Sequence, residues 1–211
     1  LAALDEDLAE EVRRADGAID ALEQELQSRA ALMIAERQPV ASDLRIILAV
    51  MKIASNLERI GDYAKNMAKR TGVLAGVGRA GIGAGIGARV GEGGAAMRRM
   101  ARMVEMMLKD ALDAFMQRDA ERAEDVRQRD LEVDQMYNSL FRTYLTYMME
   151  DPRHITACMH LHFIAKNIER MGDHVTAIAE QTIYLVSGQM PDGERPKQDA
   201  ATGARSGRRD I

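Results

Sequence analysis

Two stretches of this chain repeat one another, and that repeat limits the possible folds more than any other feature. Residues 54–69 read ASNLERIGDYAKNMAK and residues 165–180 read AKNIERMGDHVTAIAE. At an offset of 111, seven of sixteen positions are identical: Ala54/Ala165, Asn56/Asn167, Glu58/Glu169, Arg59/Arg170, Gly61/Gly172, Asp62/Asp173 and Ala68/Ala179. Upstream the likeness continues at an offset of 114. It pairs Asp5 with Asp119, Ala9 with Ala123, Val12 with Val126, Asp16 with Asp130 and Asp20 with Asp134. The change of offset falls near residues 38–39 and 151–152, each ending in proline, where a turn is expected. The chain is thus two copies of one supersecondary unit.

The apolar spacing is helical throughout, so the fold class expected is all-α. One helix is expected over residues 6–37, ended by the turn at Pro39. Ser42 is placed to cap a second, to about residue 70. A third is expected over residues 95–117. Asp119 caps a fourth, to about residue 150, and Asp151 caps the last, with Pro152 at its first position, to about residue 186. Short turns between long helices imply antiparallel neighbours. The second copy has a helix before Asp119, while almost nothing precedes Asp5. The repeat therefore implies a matching N-terminal helix of roughly 20 residues that this chain lacks.

Between the copies, residues 72–94 hold ten glycines and are expected to be a linker. They include Gly76-Val-Gly78-Arg-Ala-Gly81, formally GxGxxG. A dinucleotide fingerprint needs a strand before it and a helix opening from it. Neither is expected here, so the linker reading is preferred. The domains are then a first repeat over residues 1–71, the linker over 72–94, and a second repeat over 95–187. A polar tail over 188–211 is expected to be disordered.

Composition narrows the function. Aromatics make up 4% with no Trp, so the 15 methionines share an aliphatic core. A net charge of −4 argues against nucleic acid as the main partner. The one cysteine, Cys158, excludes an internal disulfide and fits a reducing compartment. No apolar run is long enough to cross a bilayer and no secretory signal is visible, so a cytoplasmic location is the default. No nucleophile, base and oxyanion set is visible, which argues against an enzyme.

The acids carry the most specific signal. Asp16/Asp20, Glu58/Asp62, Asp130/Asp134 and Glu169/Asp173 are each spaced by four, about 6 Å along one helix face. Counted from Val40, Asp20 and Asp16 lie 20 and 24 residues before the turn, and Glu58 and Asp62 lie 18 and 22 after it. Counted from Pro152, Asp134 and Asp130 lie 18 and 22 before, and Glu169 and Asp173 lie 17 and 21 after. Each copy can therefore bring four carboxylates to one level. Such sets hold di-iron and di-manganese centres in helical bundles, and suit Mg, Mn, Fe or, less often, Zn. The competing reading is that Arg59, Arg170 or solvent neutralises them. His154, Cys158 and His162 are also spaced by four, but their first-copy counterparts are Asp43, Ile47 and Met51. That favours a packing stripe over a zinc site.

These motifs resemble a known family. Residues 38–45, QPVASDLR, followed by NLERIGD over 56–62 and Asn66, look like the PhoU family. So do YMMEDP over 147–152 and NIERMGD over 167–173. The resemblance covers about residues 4–187. It implies two pseudo-symmetric antiparallel three-helix bundles, the first lacking its N-terminal helix in this chain. It also implies a cytoplasmic accessory protein of the high-affinity phosphate transporter. Such a protein is a negative regulator of the phosphate-starvation response, linking the transporter ATPase subunit to a sensor histidine kinase. A homodimer, peripheral membrane association through those partners only, and no nucleic-acid partner are expected with it.

Some family members bind iron or zinc clusters through repeated E/DxxxD motifs, which map onto Asp16, Asp20, Glu58, Asp62, Asp130, Asp134, Glu169 and Asp173. Asn66 and Glu180 extend those motifs as further candidate ligands. Iron, zinc, manganese or magnesium are the candidate metals. The chain departs from the family pattern at Lys69, where Glu is usual, and at Ala177, where Asn is usual.

Overall fold

A computed structural model describes residues 5–79 and 86–191. Five helices account for nearly all of them: α1 Glu6–Arg37, α2 Ser42–Arg79, α3 Ile86–Gln117, α4 Ala120–Glu150 and α5 Ile155–Ser187. A short 3-10 turn, Pro152–His154, leads into α5.

The local chemistry sets the boundaries. The Asp5 carboxylate accepts the Leu8 amide at 2.9 Å and caps α1. Gln38 ends α1 with left-handed backbone, its amide reaching Ile34 O at 3.1 Å, and Pro39 prevents continuation. Asp119 caps α4 through the Arg122 amide at 3.0 Å. Asp151 caps the 3-10 turn through the Arg153 amide at 2.9 Å. Gly188 closes α5 at φ 81°, its amide on Tyr184 O at 2.9 Å.

Helices α3, α4 and α5 form a three-helix bundle. Its core is aliphatic and methionine-rich, with Met100, Met107, Val126, Val133, Ile164, Ile168 and Ile178 fully buried. Helix α1 packs on α2, and α2 packs on α5. Three contacts fix α2 and α5 as antiparallel neighbours. Arg45 lies over the Tyr184 ring, Asn56 meets His174, and Arg70 meets His160. The first copy is thus a two-helix hairpin laid along the three-helix bundle. Among the described residues, no third helix packs on the face of this hairpin that corresponds to the one α3 covers in the second copy. A groove of about 550 Å³ lined by Leu22, Leu26, Ala30, Met33, Ile46 and Val50 runs along the hairpin.

The glycine-rich stretch is more helical than its composition implies. Helix α2 continues to Arg79 and α3 already starts at Ile86. The reason is visible at its first turn: Leu74 and Ala75 are buried against the core, and burial outweighs the helix cost of Gly72 and Gly76. Gly76 and Gly78 of the GxGxxG therefore lie within a helix, which is not a phosphate-binding turn. Gly81 and the rest of residues 80–85 lie outside the described residues, as do 192–211 of the tail. No described helix is long and apolar enough to cross a membrane.

Candidate functional site

In the first copy the antiparallel hairpin brings Asp16 of α1 and Asp62 of α2 to one lysine. On α1, Asp16 is 4% exposed and points toward α2, where Lys65 donates to its Oδ2. The same Lys65 Nζ lies 3.7 Å from Asp62 Oδ1. Arg59 adds a second cation, 3.5 Å from Glu58 Oε2 and 3.5 Å from Asp62 Oδ2. Burial pushes the Glu58 carboxyl above its ordinary range. Arg59 opposes that rise, while Asp62, Asp20 and Glu23 add to it. Lys65 is pushed up in turn, chiefly by its hydrogen bond to Asp16.

In the second copy, Asp130 on α4 and Glu169 on α5 are both buried. Lys166 Nζ donates to Glu169 Oε1 at 2.8 Å. Asp134 and Asp173 are half-buried. Glu180 stands apart from this level and faces Arg127 Nε at 3.5 Å. Asn66 is exposed.

A glycine sits opposite the buried aspartate in each copy. A Cβ on Gly61 would come within 3.1 Å of Ile19 Cδ1 and 3.8 Å of Asp16 Oδ1. A Cβ on Gly172 would come within 2.9 Å of Asp130 Oδ1. The glycine of each E-R-x-G-D run is thus the point where facing helices approach closely enough to seat the aspartate.

As arranged, these residues do not fit a metal ion. An ammonium group stands among the first set of carboxylates, and a guanidinium spans Glu58 and Asp62. Among the described residues no three His, Cys, Asp or Glu side chains converge closely enough to hold one. Sequence reasoning weighed Arg59 but missed Lys65 and Lys166. The signal was their spacing, three residues after Asp62 and three before Glu169, on the acid face of each helix.

The histidine and cysteine stripe is packing. Cys158 is 1% exposed, and burial pushes its thiol up. His162 sits among Tyr137, Phe141 and Phe163, with ring centroids 5.1–5.9 Å away. Burial and then Lys166 push it down.

Between α3 and α4, Arg122 donates to Asp110 at 2.7 Å and to Asp113 at 3.0 Å, and Arg129 donates to Asp110 at 2.6 Å. Those guanidinium hydrogen bonds hold the Asp110 carboxyl below its ordinary range.

Comparison with known proteins places this geometry. The model of the PhoU domain matches residues 1–71 and 97–182, both copies of the repeat. A phosphate-specific transport system accessory protein PhoU homolog of Rhizobium meliloti is 47% identical over 192 residues, covering 91% of this chain and 77% of that protein. A homolog of the same name from Caulobacter vibrioides is 44% identical over 199 residues, covering 94% and 82%. The crystal structure of PhoU from Pseudomonas aeruginosa superposes with a TM-score of 0.78 at 36% identity, covering 90% of this chain and 86% of that one. The phosphate transport system regulatory protein PhoU from Streptococcus pneumoniae gives 0.78 at 28% identity, covering 91% and 85%.

Proposed function

Because the chain belongs to the PhoU family, we propose that it is a cytoplasmic regulator of phosphate uptake and not an enzyme. On this reading it couples the high-affinity phosphate transporter to a sensor histidine kinase and holds the phosphate-starvation response down when phosphate is plentiful. It works as a homodimer that docks on the transporter ATPase subunit and reaches the membrane only through its partners.

The observation that carries this reading is the match across both copies, together with relatives named as accessory proteins of phosphate-specific transport. The side-chain chemistry agrees. The cysteine is buried with its thiol pushed up, the reverse of an activated nucleophile. The shifted acids are accounted for by burial at Glu58, by ion pairing with Arg122 and Arg129 at Asp110, and by the hydrogen bonds from Arg153 at Asp151. Long exposed helix surfaces offer docking faces.

Deleting the gene in its host and following a phosphate-starvation reporter in phosphate-rich medium tests the reading. Constitutive expression, restored to silence by the full-length gene, is the expected result. A reporter that stays silent in the deletion strain counts against it. Retention of the transporter ATPase and the sensor kinase on the tagged protein tests the coupling separately.

A further inference from the structure

The first carboxylate cluster carries a cation of its own. Its acids are Asp16 and Asp20 on α1, and Glu58 and Asp62 on α2. Lys65 reaches across from α2 to the buried Asp16 and lies 3.7 Å from Asp62. Asp16 is 4% exposed, and a carboxylate at that depth needs a partner or it costs stability. Among the described residues its Oδ1 has no hydrogen-bond partner, and Lys65 on Oδ2 is the cation that offsets its charge.

The two copies differ at this point. By the repeat offset, the residue equivalent to Lys65 is Thr176, whose hydroxyl donates to Gly172 O at 3.0 Å within its own helix. The cation of the second cluster, Lys166, comes from a different position, and its first-copy equivalent is Ser55.

We propose that Lys65 is the resident counter-cation of the Asp16–Asp62 cluster, occupying the place a divalent ion would need and making the α1–α2 hairpin independent of metal. An ammonium supplies a point charge with three donors on a flexible stem, enough to serve two carboxylates on facing helices. A divalent ion would have to displace it and leave the lysine close to the metal, an added repulsion.

Thermal melting and manganese titration of the full chain test this. The parent protein, stripped with chelator, is expected to melt at the same temperature with and without manganese. The double variant Asp16→Asn/Asp62→Asn is expected to bind no less manganese than the parent. Lys65→Met is expected to melt lower in chelator and to be partly restored by manganese. It should bind that ion roughly tenfold or more tightly than the parent does, the direction set by removing one positive charge at contact distance.

Two results overturn the proposal: manganese or zinc bound by the parent and lost in the Asp16/Asp62 double variant, or a Lys65→Met protein as stable as the parent in chelator. If Lys65→Met does not fold, the parent measurements still decide. Lys65→Arg, which keeps the cation, should then fold and stay indifferent to metal.

Discussion

The rings of Tyr63 and His174 meet with centroids 5.6 Å apart, although the two residues occupy the same position in the two copies of the repeat. Equivalent residues can touch only beside the axis that relates them, so this contact marks the pseudo-twofold axis, on the α2–α5 seam. His174 Nδ1 also stands 2.7 Å from Asn56 Oδ1. Asn56 Nδ2 already donates to Lys52 O at 2.7 Å, so the hydrogen in this bond is on the histidine. Removing the ring and the bond with His174→Ala is expected to cost about 1–2 kcal/mol. Urea unfolding would show this as a lower midpoint with an unchanged slope, and His174→Phe should recover the ring contact only.

Glycine in the E-R-x-G-D run is a packing requirement, and it is unequal between the copies. A Cβ at 172 would lie 2.9 Å from Asp130 Oδ1 and 3.5 Å from Val133, in a buried layer. At 61 it would meet mainly the end of the Ile19 side chain. Gly172→Ala is therefore expected to destabilise by about 1–3 kcal/mol and Gly61→Ala by less. Denaturant midpoints of the two variants provide the comparison.

Glu58 provides a test of sign. Its carboxyl is pushed up by burial, so ionisation at neutral pH acts against the fold, and that cost is relieved as pH falls through its folded pKa. Glu58→Gln is expected to leave stability unchanged at pH 7 or raise it by about 0.5 kcal/mol. A clear loss of stability in the chelated protein would show that the negative charge is needed.

Asp110 behaves in the opposite way. Its carboxyl is held below its ordinary value of 3.8 by hydrogen bonds from Arg122 and Arg129. Its contribution is fully present above that unfolded value and is lost as pH falls through the folded pKa. Asp110→Asn should cost about 1–2 kcal/mol at pH 7, and a stability-against-pH curve should show the gap to the parent closing in acid.

Cys158 reports on opening of the second bundle. It is 1% exposed with its thiol pushed up by burial. A thiol reagent is expected to label it slowly in the native protein and quickly in urea. Fast labelling without denaturant would show that the α4–α5 core opens locally.

Much of this was legible in the sequence because its signals are local. The repeat offsets placed Asp16, Glu58, Asp130 and Glu169 at matching heights, since an antiparallel hairpin converts distance from a turn directly into height. Asp119 caps α4 as its sequence context implies, and Asp151 caps the 3-10 turn that leads into α5, whereas Ser42, expected as a cap, is the first residue of α2 itself. The end of α2 was less legible. Gly72 and Gly76 signal a break, and only the burial of Leu74 and Ala75 against other helices reverses that signal.

The sequence by itself determined the helices, the two copies and the level at which the acids gather, because period, caps and turns act over a few residues. Only the tertiary structure decided which charges meet. Lys65 and Asp16 are 49 residues apart, and Arg127 and Glu180 come from different helices. Whether a carboxylate faces a metal, a lysine or water depends on side chains brought within about 4 Å by packing, a distance that no linear spacing encodes.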